Sequence, residues 1–167
     1  LKFGKIFLIT SSKKFKTKFN KKVKFITPKK KISEGLNLRF KYLLCLYLLL
    51  KFMIKNKNSL VLSFQANIYC ILVCKLFNVK IITRSNSSPS GWHHNFIKKF
   101  IYKKIVSFAN LVIVNSFEFK KEMKKEFDIN STCIYNPLNK KEILDKSKKS
   151  IKFNFFKRKN DLKIINV

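Results

Sequence analysis

Residues 59–83 read SLVLSFQANIYCILVCKLFNVKIIT, and this segment determines the class of the fold. Ser59 to Phe64 is rich in branched apolar residues and predicts a strand. Ala66 to Phe77 is apolar on nearly all sides and predicts a well-buried helix, which Asn78 can end. Val79 to Thr83 predicts the next strand. A strand, a helix and a strand in succession are typical of two parallel strands joined by a helical crossover.

The same alternation continues on both sides of this segment. It predicts four more strands and three more helices: strands at Lys5–Thr10, Val23–Thr27, Leu111–Val114 and Thr132–Tyr135, and helices at Leu36–Lys55, His94–Phe108 and Ser116–Phe127. In the helix from His94 to Phe108, an apolar face is predicted to oppose a lysine face: Phe96, Ile97, Phe100, Ile101, Ile105 and Phe108 against Lys98, Lys99, Lys103 and Lys104. We therefore expect an α/β fold with a Rossmann-like parallel sheet and helices on both faces.

The charge of the chain admits three interpretations. There are 38 basic residues, of which only Arg39, Arg84 and Arg158 are arginine, against 8 acidic residues, giving a net charge of +30. An AT-rich coding sequence would enrich lysine together with Asn, Ile and Phe, leaving a solvated basic face. A basic surface could also attract anionic membrane lipids or nucleic acid. Readers of nucleic acid favour arginine, so a nucleic-acid partner is not expected.

The cysteines, histidines and apolar runs predict no metal site and no membrane span. Cys70 and Cys74 lie four residues apart on one predicted helix, with Cys45 and Cys133 elsewhere, and the two histidines are the adjacent His93 and His94. This is not a matched set of zinc ligands, so reduced core thiols are expected. The longest lysine-free apolar run, Tyr42 to Leu50, is much shorter than the ~20 residues that a spanning helix needs.

Polar residues follow each predicted strand at its carboxyl end, which is where parallel sheets bind their ligands. They are Gln65 and Asn67, the loop from Arg84 to Trp92, Asn115 with Ser116, and Asn136 with Pro137. Hydroxyl, amide and guanidinium groups suit a polyhydroxylated or phosphorylated ligand. The same residues could instead cap their own backbone, and Ser116 is also a good helix cap. The predicted binding residues are Arg84, Ser85, Asn86, Ser87, Asn115 and Ser116.

These segments together resemble the N-terminal half of the family 4 glycosyltransferases. The resemblance is carried by Val61-Leu-Ser-Phe64, Ile81-Ile-Thr-Arg-Ser-Asn86, Leu111-Val-Ile-Val-Asn-Ser116, Ile134-Tyr-Asn-Pro137 and Lys163-Ile-Ile-Asn-Val167, in this order. It implies the GT-B architecture, in which two Rossmann-like domains face a cleft. On this basis residues 1–138 are expected to be a partial N-terminal domain. Residues 139–160 would be a linker region with a helical turn at Lys141–Lys146, and residues 161–167 the first strand of a C-terminal donor-binding domain.

The resemblance implies a retaining enzyme that transfers a sugar from a nucleotide-sugar donor to the hydroxyl of a glycan or lipid-linked acceptor. No metal or other cofactor is implied, and the location implied is the cytoplasm or the inner face of an anionic membrane. Many members carry a histidine where this chain has Arg84-Ser85-Asn86, so no catalytic residue is assigned. The chain begins at Leu1 and ends in an apolar run without a partner, so we expect a fragment that is inactive alone and marginally stable. The alternatives are a basic nucleic-acid-binding module and another doubly wound protein, such as a sugar-phosphate enzyme or a periplasmic-type binding domain.

Overall fold

The chain folds as an α/β protein with parallel strands and helices packed around them, as the sequence predicts. The computed structural model describes residues 4–12, 16–28, 35–87 and 95–148. Two compact units divide the chain, Leu1–Tyr135 and Asn136–Val167.

The first unit alternates strands and helices along its length. Its elements are β1 (Ile6–Ile9), a 3-10 helix (Lys16–Lys18), β2 (Val23–Ile26), α1 (Leu38–Lys55), β3 (Leu60–Ser63), α2 (Asn67–Leu76), β4 (Lys80–Ser85), α3 (Phe96–Val106), β5 (Leu111–Val114), α4 (Phe117–Phe127) and β6 (Thr132–Cys133). Strand β4 is longer than predicted, because Arg84 and Ser85 continue the ladder opposite Ile113 and Val114 instead of opening a loop.

The main sheet is fully parallel in the order β3-β4-β5-β6, and β1 and β2 form a separate parallel pair. Each strand of the main sheet lies next to its successor in the chain. Because right-handed crossovers that advance in one direction place their helices on one face, α2, α3 and α4 are expected on the same side. The carboxyl ends of the four strands therefore meet at one edge, which the polar residues described above follow.

The core lies between that helical layer and one face of the sheet. The strands contribute alternate side chains from one face, among them Ile81, Val112 and Val114. The helices contribute their buried positions: Leu49 and Met53 from α1, Ile71 and Cys74 from α2, Val106 from α3, and Met123 and Phe127 from α4. On the other face, Leu60 and Leu62 are 61% and 50% exposed, whereas Ile113 is 8% exposed. The other face is thus exposed at the edge strand β3 and buried at the inner strand β5.

The predicted apolar face of α3 is wrong for most of its members and confirmed at Ile105. Four of its members are exposed: Phe96 (82%), Ile97 (65%), Phe100 (64%) and Ile101 (50%). The helix instead packs through Val106 and Tyr102, which were not predicted to face the core, and through Ile105, the member of the predicted face that does reach it. A helix that is apolar around most of its circumference offers two stripes, and periodicity alone does not choose between them. The predicted full burial of α2 is wrong for the same reason, since Tyr69, Leu72 and Leu76 are exposed.

The helix ends follow their predicted signals. The Ser116 hydroxyl accepts a hydrogen bond from the Phe119 amide at 3.1 Å, so this serine caps α4 as predicted. Asn78 and Asp128 adopt left-handed backbone conformations, with φ of 52° and 54°, directly after α2 and α4. This conformation is common at helix C-termini, where it turns the chain back toward the sheet. The predicted stripe of α4 is confirmed at Met123 and Phe127.

Ion pairs join α3 to α4. Lys99 Nζ lies 2.5 Å from Glu126 Oε2, and Lys103 Nζ lies 3.6 Å from Asp128 Oδ2. Hydrogen bonding and attraction by Lys99 lower the pKa of the Glu126 carboxyl, and Lys124 does the same for Asp128. Because the folded pKa values are lowered, the stabilising contribution is present at neutral pH and is lost as the pH falls through them.

The second unit contains the helix α5 (Lys140–Ser147), a full eight residues where a turn is predicted. Its side chains are exposed, and Asn139 caps it by accepting from the Glu142 amide at 3.2 Å. The predicted strand at residues 161–167, the residues His93 and His94, and the loop from Ser88 to Trp92 lie outside the described residues. Of the helices within the described ranges, none combines the length and hydrophobicity needed to cross a bilayer.

Candidate functional site

A hydrogen-bond network ties the carboxyl end of β3 to that of β4. The hydroxyl of Ser63, the last residue of β3, donates to Asn67 Oδ1 at 2.7 Å. The same Asn67 side chain donates through Nδ2 to the carbonyl oxygen of Arg84 at 3.0 Å. Asn67 is the first residue of α2, so one amide group fixes the start of this helix to two neighbouring strands. The backbone around Arg84 is thereby held in one position relative to α2.

The Arg84 side chain extends this network across the sheet. Its Nη2 donates to the carbonyl oxygen of Ile134, just after β6, at 3.1 Å, and its Nε lies 3.4 Å from Asn86 Oδ1. Since β5 lies between β4 and β6, the guanidinium group spans the carboxyl edge of the main sheet. The planar fork of guanidinium donors suits two acceptors at fixed positions, whereas a lysine offers a single ammonium group.

The connection between β3 and α2 contains the one strained backbone conformation at this edge of the sheet among the described residues. Ala66 precedes α2 with φ 54° and ψ 33°, the left-handed conformation, and has no side chain that could cap the helix. Unlike Asn78 and Asp128, it stands at the start of a helix. Residues with a Cβ avoid this region at a cost of about 1–2 kcal/mol. Strain of this kind is characteristic of functional sites, where the surrounding contacts impose it.

Replacing Ala66 by glycine is expected to raise the free energy of unfolding by about 0.5–1 kcal/mol, because glycine adopts φ 54° without the clash of a Cβ. The measurement is urea denaturation followed by far-UV circular dichroism. Ala109 provides the matched control, since its φ is not positive. Ala109→Gly should lower the stability by roughly the same amount. A loss of stability in both variants would contradict the strain at Ala66.

A cavity of ≈ 710 Å³ opens at this edge between the β3–α2 connection and the end of β4. It is lined by Phe64, Gln65, Ala66, Asn67, Ile68, Arg84, Ser85, Asn86, Ser87 and Tyr102. Four of the six predicted binding residues, Arg84 to Ser87, therefore line this cavity. The lining combines amides, hydroxyls and one guanidinium with apolar and aromatic side chains, as small-molecule sites do.

The described lining of this cavity is made of groups that form hydrogen bonds and of apolar side chains. None of the ten lining residues is Asp, Glu, His or Lys. Tyr102 is the titratable hydroxyl among them, and burial raises its pKa well above the usual range, so it stays neutral at physiological pH. Amides and hydroxyls can donate and accept hydrogen bonds at the same time, which matches the hydroxyl groups of a carbohydrate.

Asn115 and Ser116 lie after β5 and are not part of the cavity lining. The Ser116 hydroxyl is engaged as the helix cap of α4. The Oδ1 atom of Asn115 is buried and accepts no hydrogen bond from the described residues. A buried acceptor without a donor is uncommon and costs stability, so it requires an explanation. Asn115 is thus not brought to the cavity with the other four residues, and its contact with a ligand stays a prediction.

Four lining residues were not predicted from the sequence as site residues: Phe64, Ala66, Ile68 and Tyr102. Phe64 and Ile68 flank Gln65 and Asn67, which were predicted because they follow a strand of the parallel sheet. Tyr102 comes from the middle of α3, and it faces the sheet because α3 packs through a different side than predicted. The sequence contained one signal for this residue: Tyr102 stands in a stripe of α3 whose other members are aliphatic residues and lysine.

The described residues contain no cluster of three or more His, Cys, Asp or Glu side chains that could hold a metal ion. The cysteines at 45, 70, 74 and 133 are free thiols. Burial raises the pKa of the Cys74 thiol to about 12, so it is protonated and unreactive at neutral pH.

A second hollow, of ≈ 370 Å³, lies along α5 in the second unit. Its lining comes from one short exposed segment, residues 139–146, which cannot enclose a ligand. The cavity at the carboxyl edge of the main sheet is thus the candidate site.

No protein-family model matches the chain, and no curated protein has a significantly similar sequence.

Proposed function

We propose that this chain is the acceptor-binding part of a retaining glycosyltransferase that uses a nucleotide-sugar donor. The observation that carries the proposal is the cavity at the carboxyl edge of the parallel sheet, lined by amides, hydroxyls and a guanidinium with Tyr102 at its side. Carbohydrates are bound through many hydrogen bonds to their hydroxyl groups and through contacts of their apolar ring faces with aromatic side chains. The resemblance to the family 4 glycosyltransferases supports the same assignment.

In this proposal the chain binds and orients the acceptor. Holding a hydroxyl group in line with a reacting sugar accounts for a large share of catalysis when the reaction joins two substrates. Gln65, Asn67 and Asn86 have amide groups that can fix such a hydroxyl, and Arg84 holds the edge of the site in place. The donor would be bound by a second domain, and so the chain alone should not turn over a nucleotide sugar.

The partners of this function are a nucleotide sugar and a glycan or lipid-linked acceptor, in the synthesis of cell-surface polysaccharide or glycolipid. The location proposed is the cytoplasm or the inner face of the membrane, where nucleotide sugars are available. No cofactor is required.

Ligand-observed NMR on the 167-residue chain tests the proposal. The probes are neutral oligosaccharides, such as maltotriose and N,N′-diacetylchitobiose, and UDP-glucose as a donor. We expect saturation transfer to at least one oligosaccharide and no hydrolysis or transfer with the nucleotide sugar. The proposal would be contradicted if the chain bound none of a broad panel of oligosaccharides. Turnover of the nucleotide sugar by the chain alone would contradict the proposal that a second domain binds the donor.

Because the net charge is +30, a nucleic-acid-binding module is the second candidate function. A salt-dependent affinity for DNA is expected from charge alone and does not separate the two. A preference for one sequence or one nucleic-acid structure, maintained at high salt, would favour the second candidate.

A further inference from the structure

We propose that the outer face of helices α1, α2 and α3 docks on the surface of an anionic lipid bilayer. This inference does not depend on the transferase function. It rests on the composition of three neighbouring helices and on which of their side chains the fold leaves exposed.

Each of the three helices has a second apolar stripe, opposite or beside the one that enters the core. On α1 it consists of Phe40, Leu43, Tyr47 and Ile54, all between 57% and 61% exposed. On α2 it consists of Tyr69 (58%), Leu72 (44%) and Leu76 (79%). On α3 it is the set from Phe96 to Ile101 described above, which is 50–82% exposed. Single exposed apolar residues are ordinary, whereas a set shared by adjacent helices marks an interaction surface.

The three stripes belong to one layer. Helix α2 packs against both α1 and α3. Lys75 of α2 places its ammonium group 5.1 Å from the ring centre of Phe108, just beyond the end of α3, so exposed side chains of the two helices meet. We call the exposed residues of these three helices the basic–apolar face.

All the charges on this face are positive. None of the 8 acidic residues lies between Gly35 and Phe117, a segment that contains 12 of the 38 basic residues. Lys51, Lys75, Lys98 and Lys104 are exposed among or beside the apolar stripes. Helix α4 provides the contrast within the same unit, because its lysines alternate with Glu118, Glu122 and Glu126 and it has the ordinary solvated surface of an amphipathic helix.

This combination selects one kind of partner. Lysine side chains beside exposed Phe, Ile and Leu are typical of helices that lie in a membrane interface, where the apolar groups enter the lipid and the ammonium groups meet lipid phosphates. A second copy of the chain is disfavoured, because two faces of the same positive charge would repel each other. Nucleic acid would attract the lysines but would offer no apolar surface to Ile97, Leu72 and Leu43.

The position of the face also fits the candidate site. Helices α2 and α3 follow β3 and β4, so both begin at the carboxyl edge where the cavity opens. Ile68 and Tyr102 line the cavity, while their neighbours Tyr69 and Ile101 belong to the basic–apolar face. Docking through this face would hold the cavity beside the lipid surface. If the proposed transferase function holds, this arrangement suits an acceptor that is anchored in the same membrane.

The test is flotation of the full chain with vesicles of phosphatidylcholine alone or of equal parts phosphatidylcholine and phosphatidylglycerol. We expect binding to the second and little to the first. Each lysine at an anionic surface contributes about fivefold in partitioning, so the double variant Lys98→Glu/Lys104→Glu should bind at least about tenfold more weakly. Phe96→Ser/Phe100→Ser should weaken binding by at least about tenfold, because two aromatic side chains no longer enter the lipid.

The matched control is Phe117→Ser/Lys121→Glu on α4, which alters the same residue types and should change binding by less than about threefold. Hydroxyl-radical footprinting of the unaltered chain gives an independent result, since it needs no variant to fold. Anionic vesicles should protect Tyr47 and Tyr69 but not Phe117.

Three results would overturn the proposal: no binding to the anionic vesicles, an equal loss of binding in the α4 control, or no protection of Tyr47 and Tyr69. Protection of these tyrosines by an acidic polypeptide but not by vesicles would assign the face to a protein partner and would overturn it as well. Since the vesicle experiment contains no sugar, its failure leaves the oligosaccharide result unaffected, and the two proposals can fail separately.

Discussion

Replacing Phe127 by alanine lowers the free energy of unfolding by about 3–5 kcal/mol, the usual cost of removing a buried aromatic ring. Phe127 is 2% exposed, and its ring centre lies 4.9 Å from that of Tyr102, so it joins α4 to α3. The Lys99 ammonium group lies 5.7 Å from the same ring centre. A small domain has only about 5–15 kcal/mol of net stability, so this one change removes a large part of it.

The matched control is Phe96→Ala in α3. Phe96 is 82% exposed, so the same substitution should change the stability by less than about 0.5 kcal/mol. Urea denaturation followed by far-UV circular dichroism measures both variants. Equal losses at the two positions would mean that α3 packs through the side that its sequence pattern first suggests, and the basic–apolar face would then lose its α3 portion.

Replacing Asn67 by leucine weakens oligosaccharide binding by at least about tenfold, which corresponds to about 1.4 kcal/mol. The change removes both hydrogen bonds of the side chain, from Ser63 and to the Arg84 carbonyl. The end of β4 is then no longer fixed relative to α2, and the amide that faces the cavity is gone. We expect a loss of stability of about 1–2 kcal/mol in addition. Titration of the binding-competent oligosaccharide, followed by NMR, gives the affinity.

Asn110→Leu separates binding from stability. Asn110 precedes β5, at the amino edge of the sheet, and its Oδ1 accepts from the Ile81 amide at 2.8 Å. It should lose a similar amount of stability, because it also joins two strands, but its affinity for the oligosaccharide should be unchanged. An equal loss of affinity in both variants would show that destabilisation, and not the cavity, controls binding.

The order of elements could be predicted from the sequence, but the orientation of two helices could not. Alternating apolar segments with polar breaks fix strands and helices locally, and Ser116 and Asn78 mark helix ends through their own backbone preferences. The side on which a helix packs depends on all its neighbours. In α3, Phe96 and Phe100 are at least as apolar as Val106, so the periodicity of the helix is compatible with either stripe facing the sheet.

The candidate site was predictable to the extent that topology determines it. Parallel strands bring their carboxyl ends to one edge, and so the sequence pattern alone places Arg84 to Ser87 near Gln65 and Asn67. The left-handed conformation of Ala66 could not be predicted, because alanine has no intrinsic preference for it and the surrounding contacts impose it. Ser116 is the opposite case, because its preference for the helix-cap position is visible in the sequence. The cap hydrogen bond already satisfies its hydroxyl.

The most direct test of the account is to map oligosaccharide binding onto the backbone of the ¹⁵N-labelled chain by NMR. We expect amide shift changes that cluster at residues 64–68 and 84–87, with α5 unchanged. Oligosaccharide-induced shifts confined to other parts of the chain, with the amides of Asn67 and of residues 84–87 unmoved, would contradict it.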